Sequence, residues 1–202
     1  MKTIGLIGGM SWESTVTYYQ IINETIKQKL GGLHSGKILL YSVDFAEIEK
    51  YQADGEWDKS AEVLGAAAVN LQNAGADFIV ICTNTMHKVA PQIQEKIHIP
   101  VLHIADATAD ALLGADVKTV ALLGTKYTMT QDFYKDRLTP KGISVLIPDK
   151  EEVEIVNHVI YDELCCGIIS PDSRNEYKRI IGQLKERGAE GVILGCTEIG
   201  LL

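Results

Sequence analysis

An internal repeat constrains the fold of this chain more than any other feature of its sequence. Residues 74–85, AGADFIVICTNT, align with residues 187–198, RGAEGVILGCTE, and this alignment places Thr83 over Cys196. A second match, KTIGLIG at 2–8 with KTVALLG at 118–124, has nearly the same offset. A repeat of about 110–116 residues is too long for a solenoid unit and indicates a duplicated domain. We therefore expect two pseudo-symmetric halves, 1–115 and 116–202.

Short apolar runs alternate with helical patterns along the chain, which is typical of parallel βαβ units. This alternation predicts an α/β fold in which each flavodoxin-like half has a parallel sheet flanked by helices. Within one predicted helix, Leu64, Ala67, Ala68 and Leu71 have the spacing of a buried face. Strands are expected near 2–7, 37–43, 77–82, 100–104, 118–123, 143–147 and 190–195. Helices are expected near 12–30, 58–74, 86–96, 105–114, 130–138, 151–165 and 172–187.

The two halves differ at their ends. In the first half, a strand at 99–104 and a further helix follow the CTNT motif, whereas the sequence ends at Leu202, shortly after Glu198. We therefore expect the second half to lack its last strand and helix, and we attribute the difference to loss.

Composition excludes several classes of partner. The chain has 202 residues, of which 46% are apolar and 23% charged, enough for one large or two small domains. A net charge of −8 without a basic stretch argues against nucleic acid and against an anionic membrane surface. No apolar stretch approaches the roughly 18–20 residues of a membrane span, and the N-terminus reads as a strand and not as a signal peptide. We expect a cytoplasmic protein that binds a small molecule.

The cysteine pattern gives no sign of a metal or of a disulfide framework. Cys165 and Cys166 are adjacent, Cys82 and Cys196 are far apart, and no CxxC pair is present. We therefore predict no metal site and no structural disulfide.

Three predicted loops lie where strands lead into helices, which is where ligands bind in open α/β sheets. The glycines of the first loop, Gly8 to Ser11, allow backbone N–H groups to approach an anion at the start of the next helix. The spacing matches neither a dinucleotide-binding motif nor a P-loop, so a small carboxylate is the plausible ligand; a tight turn without a ligand is the alternative.

The other two loops, Cys82 to His87 and Gly195 to Glu198, contain hydroxyl, amide and thiol side chains. A thiol combines nucleophilicity with a pKa of about 8.5 that the protein can lower. Cys196 is the leading catalytic candidate because it follows a strand at the duplicated position. Thr83 occupies the equivalent position in the first half, so the two could approach one carbon centre from opposite sides. Cys82 must point to the other face of its strand and is assigned to packing.

The remaining cysteines and histidines have ordinary structural interpretations. Cys165 and Cys166, at a predicted helix end before Gly167, are assigned to packing. His87 and His103 could each act as a general acid or a substrate ligand, but a hydrogen-bonded structural role is favoured for both.

Together, the motifs GGMS at 8–11, Asn84–Thr85, the segment from Gly124 to Met129 and GCTE at 195–198 resemble the aspartate/glutamate racemase family over essentially the whole chain. The resemblance implies a cofactor-independent enzyme of two α/β lobes, a homodimer, with its site in the cleft between the lobes. It also implies a two-base mechanism, in which one residue removes the α-proton and its counterpart reprotonates the planar carbanion from the other face.

The same resemblance assigns the site residues. Cys196 is the principal acid and base, and Thr83 stands opposite it. The amino-acid substrate would be bound by Met10, Ser11, Gln52, Asn84, Thr85, Thr128 and Thr197.

Three positions differ from the family pattern. Most aspartate racemases have cysteine where this chain has Thr83, and a hydroxyl is far too weak an acid to act as an alkoxide base near neutral pH. Many also have an arginine in the region of residues 44–49, and a lysine near Glu163 that is replaced here by Cys165 or Cys166. The two faces of the site therefore cannot be equivalent, and the preferred amino acid is left open.

The sequence thus predicts a pyridoxal-independent racemase of amino acids, of the aspartate/glutamate class or of broad specificity. Two alternatives remain: a decarboxylase of substituted malonates, which needs only one thiol, and a non-catalytic amino-acid-binding protein. Whether Thr83 or His87 serves the second face also stays open.

Overall fold

The computed structural model describes residues 1–202 and divides into two compact units, Met1–Ile104 and Ala105–Leu202. All seven predicted strands are confirmed: β1 Thr3–Gly8, β2 Lys37–Ser42, β3 Phe78–Ile81, β4 Val101–Leu102, β5 Thr119–Gly124, β6 Ser144–Leu146 and β7 Gly191–Gly195. The first unit contains a parallel sheet of order β2-β1-β3-β4, and the second contains a parallel sheet of order β6-β5-β7. The predicted α/β class is therefore confirmed.

Helices connect the strands of each unit, and none of them is both long and apolar enough to cross a membrane. The α-helices are α1 Trp12–Leu30, α2 Phe45–Ala53, α3 Trp57–Asn73, α4 Ala90–Glu95, α5 Ile104–Gly114, α6 Lys126–Thr130, α7 Asp132–Leu138, α8 Lys150–His158 and α9 Pro171–Glu186. Short 3-10 turns cover Thr85–Val89, Thr139–Lys141, Leu164–Cys166 and Thr197–Leu201, and a π-helical turn covers Val159–Glu163.

In each sheet, the first strand along the chain, β1 or β5, lies between two neighbouring strands and is the most buried one; we call it the central strand. In β1, Leu6 and Ile7 are fully buried, and in β5 Leu122 and Leu123 are fully buried as well. Strands covered on both faces read as nearly continuous apolar runs, which is why these segments could be identified from the sequence. The predicted buried face of α3 is also confirmed, since Leu64, Ala67, Ala68 and Leu71 all belong to the core of the first unit.

The two copies of the repeat make the same backbone contacts. The Asp77 carboxylate accepts a hydrogen bond from the Thr3 N–H at 2.5 Å, just before β3. Before β7, the Glu190 carboxylate accepts from the N–H groups of Lys118 and Thr119 at 2.7 and 2.9 Å. The aligned acidic residue therefore joins the start of its own strand to the start of the central strand in each unit, and β3 and β7 hold equivalent places beside β1 and β5.

The boundary between the units lies between Ile104 and Ala105, whereas the repeat suggested a boundary between 115 and 116. Helix α5 makes polar contacts with the second unit. Thr108 and Tyr134 have hydroxyl oxygens 3.1 Å apart, and ion pairs join Arg137 to Asp106 and Lys141 to Asp110. Because these side chains fasten α5 to α7 and to the turn after it, the helix belongs with the second unit.

Several helices differ from their predicted extents. Helix α2 was not predicted, although Asp44 caps it by accepting from the Ala46 N–H at 3.1 Å. The predicted helix at 86–96 divides into a 3-10 turn and α4, where Pro91 stands in the first turn. The predicted helix at 151–165 keeps α-helical geometry only to His158 and then continues as the π-helical turn and a 3-10 turn. Helix α6, which begins after Thr125, was also missed.

Candidate active site

The three candidate loops lie at the carboxyl ends of strands. In the first unit, β1 and β3 are adjacent and in register, with Ile7 beside Ile81, so the Gly8–Ser11 and Cys82–Thr85 loops leave the same edge of the sheet. In the second unit, Gly124 is the register partner of Gly195. Thr125 and Cys196 therefore begin neighbouring loops at the edge where open α/β sheets bind their ligands.

The first loop is joined to the second by a buried serine. Ser11 caps α1, and its hydroxyl accepts from the Ser14 N–H at 3.4 Å. The Ser14 hydroxyl, in turn, lies 2.9 Å from the Cys82 carbonyl oxygen and 3.1 Å from that of Ser11, and it can donate to either. Ser14 was not identified from the sequence, because its role depends on a contact across 68 residues.

The first loop uses part of its backbone hydrogen-bonding capacity internally. Gly9 has φ +93°, and a Cβ at this position would collide with the backbone carbonyl of Val43. Its N–H donates to the Thr15 hydroxyl at 2.9 Å, so this group is not free to bind an anion. The expected anion-binding role therefore does not extend to the Gly9 N–H. Met10 is 4% exposed and belongs to the core of the first unit.

In the second loop, polar side chains face partly outward while their neighbours are buried. Thr83 and Asn84 are partly exposed, and Thr85 is buried. Cys82 is fully buried, and burial raises the pKa of its thiol to about 12. Cys82 follows the last residue of β3, and its burial agrees with its assignment to packing. Gln52, near the end of α2, is also buried.

His87 follows the second loop and contacts two backbone groups. Its Nδ1 lies 2.8 Å from the Thr83 carbonyl oxygen, and its Nε2 accepts from the Ile104 N–H at 3.1 Å. The ring is 1% exposed and meets the His103 ring edge to face, with centroids 4.5 Å apart. The structural role favoured for His87 therefore agrees with its contacts.

In the third loop, the Cys196 thiol donates to a Glu198 carboxylate oxygen at 2.9 Å. Burial, and after it the negative charge of Glu198, raise the pKa of the Cys196 thiol well above its ordinary value. The group is therefore a protonated thiol at neutral pH, and a carboxylate stands in contact with its proton. Glu198 was not selected from the sequence; its position two residues after Cys196 was the available signal.

Ionisable side chains lie near Cys196, and Cys165 and Tyr177 are among them. Cys165, on an exposed turn, is close enough for its charge to contribute to the raised pKa of Cys196. Burial, and then the charges of Cys196 and Glu163, raise the pKa of Tyr177. Glu163 accepts a hydrogen bond from the Ser173 hydroxyl at 2.6 Å. The π-helical turn that ends at Glu163 is a feature often found at functional sites.

Thr128 lies beneath the strand ends of the second unit. It is fully buried, and its hydroxyl oxygen is 3.2 Å from that of Thr125. A Cβ added to Gly124 or Gly195 would come within 3.2 or 3.3 Å of the Thr128 side chain. A ligand would reach Thr128 only if these contacts opened, whereas Thr197 is exposed.

Each unit therefore brings together part of the predicted site. Ser11 and the Thr83–Thr85 segment share one edge of the first sheet, while Thr128, Cys196 and Thr197 share one edge of the second. No group of three or more His, Cys, Asp or Glu side chains is arranged to hold a metal ion.

Comparison with known proteins identifies relatives that match nearly the whole of this chain. The residue pattern of the Asp/Glu/Hydantoin racemase family matches residues 7–202. A broad-specificity amino-acid racemase of Bacillus subtilis, RacX, is 26% identical over 203 residues, which cover 97% of this chain and 85% of that protein.

Solved structures agree with this match. A Yersinia pestis protein described as a candidate Asp/Glu racemase is 57% identical with a TM-score of 0.93, and the match covers all of this chain and 88% of that one. An aspartate racemase homologue from Pyrococcus horikoshii is 38% identical with a TM-score of 0.84, again over 100% and 88% of the two chains.

Proposed function

Because the chain belongs to the Asp/Glu/Hydantoin racemase family, we propose that it is an isomerase that interconverts L- and D-amino acids without a cofactor, aspartate and glutamate among them. The names of its relatives, a broad-specificity amino-acid racemase and an aspartate racemase homologue, support an amino acid as substrate. The observation that carries the proposal is the contact between the Cys196 thiol and the Glu198 carboxylate at a strand end.

Cys196 is proposed to exchange the α-proton. A thiol must be deprotonated before it can act as a base, and the Glu198 oxygen at 2.9 Å is placed to accept its proton. Because the pKa of Cys196 is raised, its thiolate is a stronger base once it forms, and a stronger base more readily removes the proton of a weakly acidic C–H bond. After proton transfer the thiol is regenerated, and it can return the proton to the same face of the carbanion.

Thr83 is proposed to serve the opposite face of the α-carbon, because the repeat aligns it with Cys196. Its hydroxyl can donate a proton to a carbanion but is a poor base near neutral pH. Exchange of the α-proton should therefore be faster for the enantiomer that presents it to Cys196, while kcat/KM for inversion is equal in both directions because the two enantiomers have equal free energies.

Substrate binding is proposed to divide between direct and supporting residues. Ser11, Asn84 and Thr197 have accessible surface and can contact an amino acid directly. Donors aimed at the carboxylate stabilise the enolate that develops as the α-proton leaves. The buried members of the predicted set would support the contacting residues by packing against them or would offer backbone groups to the substrate; they are Met10, Gln52, Thr85 and Thr128.

A homodimer is proposed from the surface of α1. Trp12, Val16 and Tyr19 lie on one side of the helix at i, i+4 and i+7, and each is at least 53% exposed. Leu30 lies on the same side, about five turns after Trp12, and is 55% exposed. Stable interfaces bury roughly 800 Å² per partner, and large apolar side chains left exposed together commonly mark such a surface.

The dimer proposal is testable by substitution on the two sides of α1. Tyr19→Glu should convert the dimer to monomers in sedimentation experiments, while Thr25→Glu, on another side of the same helix, should leave it intact. A monomeric wild-type protein would contradict the proposal.

The four cysteines are all free, which is typical of a reducing compartment, so we propose that the protein is cytoplasmic.

The function is tested by incubating the protein with a panel of L-amino acids and detecting D-products by chiral chromatography. D-aspartate, D-glutamate or another D-amino acid should accumulate towards a racemic mixture. A decarboxylase is the second candidate, because Thr83 leaves one thiol at the duplicated positions; release of carbon dioxide from a substituted malonate without any D-product would favour it. Binding of an amino acid with no turnover would favour a non-catalytic binding protein.

A further inference from the structure

We infer that His87 is a positioning residue for Thr83: a neutral imidazole, protonated on Nδ1, that holds the Thr83 carbonyl and the first N–H of α5. This inference rests on the proposed function, because it assigns Thr83 to the second face of the substrate. It removes His87 itself from consideration as the acid or base of that face.

The protonation state follows from the two contacts of the ring. The Ile104 N–H, 3.1 Å from Nε2, can only donate, so Nε2 must be the accepting nitrogen. A neutral imidazole has one donor and one acceptor, which places its proton on Nδ1. The Nδ1–H then donates to the Thr83 carbonyl oxygen at 2.8 Å, which can only accept. Both contacts are satisfied by this tautomer and by no other protonation state.

The same contacts leave His87 unsuited to proton transfer with a substrate. Each ring nitrogen already has a backbone partner, and the ring is 1% exposed. A general acid or base must reach the reacting proton within hydrogen-bonding distance. For His87 to do so, it would have to release Thr83 or Ile104 and turn out of its buried position beside His103.

The contacts instead fix the loop that carries Thr83. The Thr83 carbonyl is held from one side by His87, while the His87 N–H donates to the Asn84 carbonyl at 3.0 Å and closes the turn. Through Ile104, the ring also joins this loop to the start of α5, two residues after β4, and β4 is the neighbour of β3 in the sheet. Displacement of a reacting group by about 1 Å can slow a reaction about 100-fold, so the placement of the Thr83 hydroxyl should depend on this ring.

The tautomer can be measured in the wild-type protein without any assay of activity. Long-range ¹H–¹⁵N correlation spectra of the His87 ring at pH 7.5 should show a protonated Nδ1 and an unprotonated Nε2. A proton on Nε2, or on both nitrogens, would overturn the inference. This measurement holds even if the protein fails to turn over any amino acid, a result that would refute the proposed function alone.

Two substitutions separate the two contacts. An asparagine amide can reproduce the donor at Nδ1, and a glutamine amide can reproduce the acceptor at Nε2. His87→Asn should therefore keep the bond to Thr83, while His87→Gln should keep the bond to Ile104 and lose the one to Thr83. His34→Gln, on an exposed loop, is the matched control.

The readout is the ratio of inversion to α-deuterium exchange in heavy water, measured with the enantiomer that Cys196 deprotonates. Inversion requires Thr83, whereas exchange requires only Cys196, so a loss of fold alone does not change the ratio. It should stay within about twofold of wild type in His87→Asn and fall at least about tenfold in His87→Gln. An equal fall in both variants would identify His87 as the acid or base, and an unchanged ratio in both would leave it a purely structural residue; either result would overturn the inference.

Discussion

Removal of the Ser14 hydroxyl is predicted to weaken the connection between the two loops of the first unit. Ser14 is 3% exposed, and its hydroxyl contacts the carbonyl oxygens of Cys82 and Ser11. In Ser14→Ala, a buried carbonyl oxygen loses its hydrogen-bond donor, and leaving a buried polar group without a partner lowers the free energy of unfolding by about 1–3 kcal/mol. For a chain of this length, each kcal/mol lowers the melting temperature by about 2–4 °C. We therefore expect a decrease of roughly 2–12 °C.

The matched control for this prediction is Thr17→Ala in the same helix. Its hydroxyl donates to the Glu13 carbonyl at 3.3 Å, but both groups are exposed, so the change should stay within about 0.5 kcal/mol of wild type. Both variants should be compared by thermal unfolding followed by circular dichroism and by urea titration. One affected carbonyl belongs to Ser11 and the other to Cys82, which precedes Thr83, so Ser14→Ala should also slow turnover. If Ser14→Ala is as stable as Thr17→Ala, the hydrogen bonds of Ser14 between the two loops do not stabilise the fold.

Three further changes test the electrostatics of the site and of the repeat. Burial and the Glu198 charge raise the pKa of Cys196, so Glu198→Gln should lower that pKa and move the rising limb of the pH–rate profile to lower pH. Maximal turnover should fall by about 10²–10⁴, because a general base is lost. An unchanged pH profile would count against a role for the Cys196–Glu198 pair. Thr83→Cys should bring the rates of α-deuterium exchange of the two enantiomers closer together, as measured by initial rates in heavy water, because it supplies a second thiol; a persisting asymmetry would argue against Thr83. Hydrogen bonds from two backbone N–H groups lower the pKa of Glu190 below 4.5. Its carboxylate should therefore stabilise the fold above pH 4.5, and this stabilisation should be lost as the pH falls through the pKa of the folded state. Glu190→Gln should therefore melt below wild type at pH 7, with a difference that closes in acid; a difference independent of pH would contradict this.

The sheets could be predicted because their information is local. Apolar runs such as IGLIG and VALLG mark the central strands, and the repeat places Asp77 and Glu190 at equivalent positions before β3 and β7. The structure gives these two carboxylates the same function at the start of each central strand. Strand positions and the equivalence of the two sheets therefore followed from the sequence.

Helix α2 and the helix boundaries were harder to predict because their signals are weak or depend on tertiary contacts. The segment from Asp44 to Ala53 is rich in charge, with Phe45 and Ile48 as its inward apolar residues. Its start nevertheless has a capping residue, Asp44, followed three residues later by Glu47, a signal that could have identified it. The end of α8 at His158 has no comparable local signal, because the π-helical turn that follows is not marked by glycine or proline.

The polar partners around the site could not be derived from sequence spacing alone. Ser14 and Cys82 are far apart in the chain and meet only because β1 and β3 are neighbours. The pairing of His87 with Ile104 likewise depends on the register of β3 and β4. Glu198 is only two residues from Cys196, but whether its carboxylate turns towards the thiol depends on the 3-10 turn after β7.

Incorporation of α-deuterium in heavy water shows whether Cys196 is the residue that removes the α-proton. In the wild type, one enantiomer should gain α-deuterium faster than it inverts, while the other should react slowly throughout. Cys196→Ala should abolish both processes, whereas Cys166→Ala, which changes an exposed cysteine on a nearby turn, should leave them intact. If deuterium incorporation survives in Cys196→Ala, or if both enantiomers of the substrate exchange equally in the wild type with exchange and inversion matched, then Cys196 is not the residue that removes the proton.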